Sequence, residues 1–162
     1  MERGHVYSIL IENWDEEITG VFLAEGKEWV LLFDNQNDFM LDGYRFIRKE
    51  MIDEILREED ELFKEKIFAL KYPNLNYEYS FKLDSIYTLL SGFKNNNTLL
   101  YFDGDDEEEI VVGKIEEVYL KNFKIKPLNS FGKWGESIDY DFSEITSISI
   151  QNDYLSSFGL LL

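Results

Sequence analysis

The stretch "DGYRFIRKEMIDEI", residues 42–55, decides how the rest of the chain is read. Asp42-Gly43 offers a tight turn, because glycine reaches positive φ without steric cost. Tyr44 and Phe46 alternate beyond it, as one face of a strand requires. A second strand is expected over residues 51–56, with Ile52 and Ile55 closing a small β-barrel. Arg48 and Lys49 fall at the turn between the two strands, beside Glu50 and Asp53. On this reading the stretch is architecture, Ile52 is core and Arg48 is an exposed charge.

Working outward, the chain reads as two copies of one unit. Gly20 and Gly113 are 93 residues apart, each in an apolar run after an acidic turn ("DEEITGVF", "EEEIVVGKI"). Ile52 and Ile55 stand 93 residues before Ile145 and Ile148, and Asp60 and Leu62 the same distance before Asp153 and Leu155. In the first copy "VYSILIE", "ITGVFLAE", "EWVLLFD", "GYRFIRK" and "MIDEILRE" read as strands. In the second, "TLLYFD", "IVVGKIEEVY", "NFKIKPL", "IDYDFS" and "ITSISIQ" do. Strand signals at roughly 8–12-residue spacing suit a small barrel or sandwich, and a glycine in the long second strand marks its bend. "REEDELFKEKI" is expected as a turn or helical segment. Between the copies, Ser85, Ile86, Leu89, Leu90 and Phe93 have helical spacing, and Gly92 with "NNN" ends the helix.

The expected fold is therefore mainly β: two tandem SH3/Sm-like five-stranded barrels, residues 1–70 and 98–162, joined by a short helical connector at 71–97. The composition sets further bounds. Of 162 residues, 33 are acidic and 16 basic, a net charge of −17. Such a field repels phosphate backbones, so nucleic acid is not the expected partner. Cysteine is absent, which removes disulfides and thiolate ligands. No signal-peptide h-region and no apolar run of about 20 residues is found, so the expectation is a soluble cytoplasmic protein without a membrane partner.

"EWVLLFDNQNDFMLDGYRFIRKEMIDEI", "SFKLDSIYTLLSGFKNNNTLLYFD" and "WGESIDYDFSEITSISI" together resemble a widespread, uncharacterised group of bacterial two-repeat proteins. The resemblance implies the tandem arrangement and brings no activity with it. More distantly, "FIRKEMIDEI" is similar to the apolar-Arg-Gly segment of Sm-like RNA-binding barrels. There Arg48 matches an arginine that stacks on a base. Lys49 replaces the glycine, and the second copy, "YDFSEITSISI", has no arginine at that place.

The candidate sites are few. His5 is the sole histidine and sits in a terminal segment, so no catalytic residue is assigned and enzymatic activity is not expected. "FDGDDEEEI" and "DNQNDF" place glycine and phenylalanine wrongly for a calcium loop and read as solvated turns; no metal or cofactor is expected. Trp14 ("ENWDEE") and Trp134 ("GKWGES") lie in polar turns, where an aromatic beside carboxylates can anchor a partner or fold back as a lid. With Tyr44 and Arg48 they are the partner-binding candidates. The leading expectation is a protein-interaction or adaptor module for a partner with a basic surface. One alternative is an acidic immunity protein that neutralises a basic nuclease. The other is Sm-like RNA binding through Arg45, Arg48 and Lys49. The assembly state stays open.

Overall fold

Short β-branched and aromatic runs, each ended by a polar turn, give ten strands among the described residues, together with three α-helices. The structure, a computed structural model, describes residues 1–104 and 110–162. In chain order the elements are β1 (Val6–Ile11), β2 (Ile18–Glu25), β3 (Trp29–Asp34), β4 (Tyr44–Arg48), β5 (Ile52–Leu56), α1 (Glu59–Lys71) and α2 (Ile86–Asn95). There follow β6 (Leu99–Asp103), β7 (Ile110–Val118), β8 (Asn122–Pro127), β9 (Ile138–Asp141), β10 (Ser147–Ile150) and α3 (Asp153–Gly159). A 3-10 turn separates β4 from β5, and another β9 from β10.

All ten strands belong to one open antiparallel sheet, ordered β5-β1-β2-β3-β4-β10-β6-β7-β8-β9. Its pairings recur at a constant interval. Tyr7 faces Gly20, Gly20 faces Asp34, Leu31 faces Phe46 and Ile9 faces Ile55. Ninety-three residues on, Leu100 faces Gly113, Gly113 faces Pro127, Lys124 faces Asp139 and Phe102 faces Ile148. Even the register shift in β2 between Phe22 and Ala24 returns in β7 between Ile115 and Glu117. The two glycines singled out in the sequence sit at matching close approaches. A Cβ on Gly20 would stand 2.3 Å from the Phe33 carbonyl oxygen, and one on Gly113 would stand 2.2 Å from that of Lys126. No side chain fits there without moving the next strand.

The two halves are not held apart by their connector. β4 pairs directly with β10, Ile47 to Ser147 and Phe46 to Ile148, so the sheet runs through the junction. The connector is itself core. Ser85 caps α2 by accepting from the Thr88 amide, and Ile86, Leu89, Leu90 and Phe93 are all buried. Each such side chain contributes roughly 1.5–3 kcal/mol of burial. They join one large cluster with Trp29, Leu31 and Phe46 from the first half and Leu100, Phe123 and Ile148 from the second. A smaller cluster, Ile9, Phe22, Val30, Leu32 and Ile47 among others, fills the other side of the first half. β3 is buried along its whole length because it serves both clusters, hence the unbroken apolar run of "WVLLF".

Two local expectations are corrected. Asp42-Gly43 does not form a two-residue hairpin. Residues 35–43 make a longer loop, which the buried Asn35 amide knits by donating to the Asp38 and Met40 carbonyls. Gly43 is still required, with φ +78° and the Ile150 carbonyl only 2.5 Å from where a Cβ would lie. Ile55 does not close a core. It is exposed on the free-edge strand β5, and Ile52 is half-buried beside the smaller cluster. Among the described residues, no helix is long and apolar enough to cross a membrane.

Candidate functional site

Four neighbouring strands each bring one polar side chain to the junction of the halves. Asp34 ends β3, Arg45 lies in β4, Ser147 in β10 and Asp103 ends β6. All four residues are buried. The Arg45 guanidinium donates to Asp103 at 3.0 Å, to Ser147 Oγ at 3.0 Å and to Asp34 at 3.5 Å. Ser147 Oγ also donates to the other oxygen of Asp103. Burial opposes the charge on Arg45, but Asp103 and Asp34 outweigh it and raise its pKa, so it stays cationic. Burial pushes the Asp34 carboxyl up, against the pull of Arg45 and a 2.9 Å bond from the Gln36 amide. Asp103, with the shorter bond, is the main counter-ion of Arg45.

Above this group opens a cleft of about 350 Å³. Its floor is Asp34, Arg45 and Asp103, and its rim carries Glu16 and Glu17 from the β1–β2 turn. Among the described residues, four carboxyl groups and one guanidinium thus line the cleft, and its formal charge is negative. Two aromatic residues form walls. Trp14 packs partly on the smaller cluster and donates from Nε1 to the Gly104 carbonyl at 3.2 Å. Tyr101 is held by the Gln36 amide, 2.7 Å from its hydroxyl. An acidic pocket with aromatic walls suits a cationic side chain, through ion pairing and cation–π contact.

Of the four partner-binding candidates only Trp14 lines this cleft, and Arg45, expected as an RNA contact in the alternative reading, is its buried cation. Trp134 lies over the outside of β7 and β8, with Lys114 and Lys126 Nζ at 5.7 and 5.8 Å from its ring centre. Tyr44 packs against Phe33 and Phe81, at 5.3 and 5.5 Å between ring centres, and belongs to the large cluster. Arg48 is not the exposed charge expected of it. Its side chain is 14% exposed, and its guanidinium donates to the Phe142 and Ile145 carbonyls of the other half while pairing with Glu50 at 2.8 Å. Lys49 is drawn to Glu25 and the Gly26 carbonyl. His5 stands at 3.6 and 3.8 Å from Glu2 and Glu65. The acidic run expected as a solvated turn, residues 105–109, lies outside the described residues. Among the described residues, no three His, Cys, Asp or Glu side chains come together as metal ligands.

Sequence reasoning missed Asp34, Asp103 and Tyr101. A signal was present: "LLFD" and "LYFD" each end an apolar strand on aspartate. Comparison with family models, with curated proteins and with solved structures gave no match.

Proposed function

We propose that the chain is a duplicated SH3/Sm-like protein, acting as a protein-interaction module that takes a basic segment of a partner. The duplication is supported by the ladders that recur at 93 residues, bulge and glycine included. The observation that carries the function is the cleft at the junction. Among the described residues its one cation, Arg45, is already paired with two carboxyl groups, further carboxylates rim it, and Trp14 and Tyr101 wall it. An arginine or lysine side chain from a partner complements that arrangement. The net charge of −17 adds long-range attraction for a basic surface.

The same face supports a second reading, an acidic inhibitor of a basic protein such as a nuclease. It differs in predicting one tight partner instead of modest binding of many basic segments. RNA binding draws least support, because Arg45 lies between Asp34 and Asp103 and Arg48 holds backbone carbonyls.

A labelled oligo-arginine peptide tests the proposal by fluorescence anisotropy at low and high salt. Binding is expected to weaken as salt rises and to drop at least several-fold in the Glu16→Gln/Glu17→Gln double variant. Equal binding by the variant would sink the assignment of the cleft.

A further inference from the structure

The acidic cleft does not end at its own walls. Gln36, Tyr101 and Ile110 also line a second cavity of about 600 Å³ on their far side. The second cavity has a different character. Val112 of β7, Leu128 and Tyr154 of α3 give it an apolar side, the neutral polar Asn129, Ser130 and Asn152 line the rest, and Asp42 is its one carboxylate among the described residues. Ile110 and Tyr154 are about half exposed, at 54% and 50%, so this apolar surface is open to a partner. One residue's thickness, the Gln36–Tyr101 pair joined at 2.7 Å, separates the acidic cavity from the apolar one.

We infer that the partner segment is bipartite: one arginine or lysine in the acidic cleft and one large apolar side chain, on the same face of an extended peptide, in the cavity beside it. This rests on the proposed function and specifies its ligand. Charge complementarity fixes the occupant of the first cavity, and that occupant places the chain that enters the second. In an extended peptide, side chains i and i+2 share a face and stand roughly 6.5–7 Å apart, which suits two cavities divided by a single side-chain wall. The acidic cleft alone accepts any cation. The apolar cavity beside it turns a general preference for positive charge into a preference for a short motif.

The test uses the full chain and labelled pentapeptides built on Arg-Gly-Phe and on Phe-Gly-Arg, since either chain direction satisfies the spacing. Controls carry Arg-Gly-Ala and Ala-Gly-Phe. The better of the two parent peptides is expected to bind at least about tenfold more tightly than either control, the scale of one buried apolar side chain. Tyr154→Ala, at an exposed position, should reduce that gain severalfold and leave Arg-Gly-Ala binding unchanged. Glu17→Gln should weaken all three peptides that contain arginine. If Arg-Gly-Ala binds as tightly as the parents, the bipartite motif is wrong and the cationic pocket stands. If no arginine peptide binds, the proposed function falls with it. If Ala-Gly-Phe alone matches the parent, the apolar cavity is real but its link to the acidic cleft is refuted.

Discussion

Strands β5 and β10 hold the same place in their halves, yet their surroundings are opposite. Ile55 faces Ile9 across one ladder and Ile148 faces Phe102 across the other, 93 residues further on. Ile55 is 43% exposed and Ile148 is 0% exposed. The difference lies in the far side of each strand. β5 is a free edge of the sheet, whereas β10 is paired again, with β4. The sequences differ accordingly. Asp53, Glu54 and Arg57 on and beside the edge strand correspond to Thr146, Ser147 and Ile150 in the central one. Charges blunt an edge that would otherwise recruit a foreign strand. The other free edge, β9, carries Asp139 and Asp141. Its Ile138 and Asp141 are the counterparts of Arg45 and Arg48 in β4. The two arginines that fasten the junction are therefore missing where the sheet ends.

The largest effect separating junction from edge is expected at Arg45. Arg45→Ala leaves Asp34 and Asp103 buried without their cation and should cost about 3–5 kcal/mol, whereas Ile138→Ala should cost under about 1 kcal/mol. Comparable denaturation midpoints for the two variants would show that the junction is no more critical than the edge. Next comes the isoleucine pair. Ile148→Ala empties a sealed core position and should cost roughly 2–5 kcal/mol, and Ile55→Ala under about 1 kcal/mol, measured by urea unfolding. Reversal of that order would contradict the strand order itself.

Arg48→Ala ranks third. It strands two carbonyls of the other half and should cost roughly 1–3 kcal/mol in the same melts. A loss within about 0.5 kcal/mol, the figure for an ordinary surface charge, would mean the bonds to Phe142 and Ile145 add nothing. The smallest effect concerns pH and belongs to the first half alone. Burial opposes ionisation of Glu61, but the bonds from Ser8 Oγ and from the Glu58 amide outweigh it and hold the carboxyl below its ordinary value. A lowered pKa stabilises the fold above the ordinary glutamate value, and that stability is lost as pH falls through the lowered one. Glu61→Gln should therefore destabilise at pH 7, with the deficit shrinking on acidification. At the start of α3 the cap is Asn152, which accepts from the Leu155 amide and does not titrate. A deficit independent of pH would remove ionisation from the account.

Much of the fold is legible in particular residues. The 93-residue interval between Gly20 and Gly113 marks two equivalent close approaches, and Ser85 with Ile86, Leu89, Leu90 and Phe93 marks α2. The site is less legible. Trp14 could be selected as an aromatic beside carboxylates in a turn. Arg48 carried the same outward signs, a charge near a turn, and lies inside. A one-dimensional pattern gives the type of a side chain and the side of its strand, but not what stands opposite.

The sequence by itself determined the strands, their pairing with near neighbours, and the acidic character of the surface. Those features follow from short connections and local alternation, which act over a few residues. Only the tertiary structure decided that β4 and β10 pair, about a hundred residues apart. That one ladder buries Ile148, draws the Arg48 side chain onto the carbonyls of the other half, and gathers Asp34, Arg45, Asp103 and Ser147 into a single cluster. No local pattern encodes it, because the ladder joins unpaired backbone groups of two segments that lie far apart in the chain.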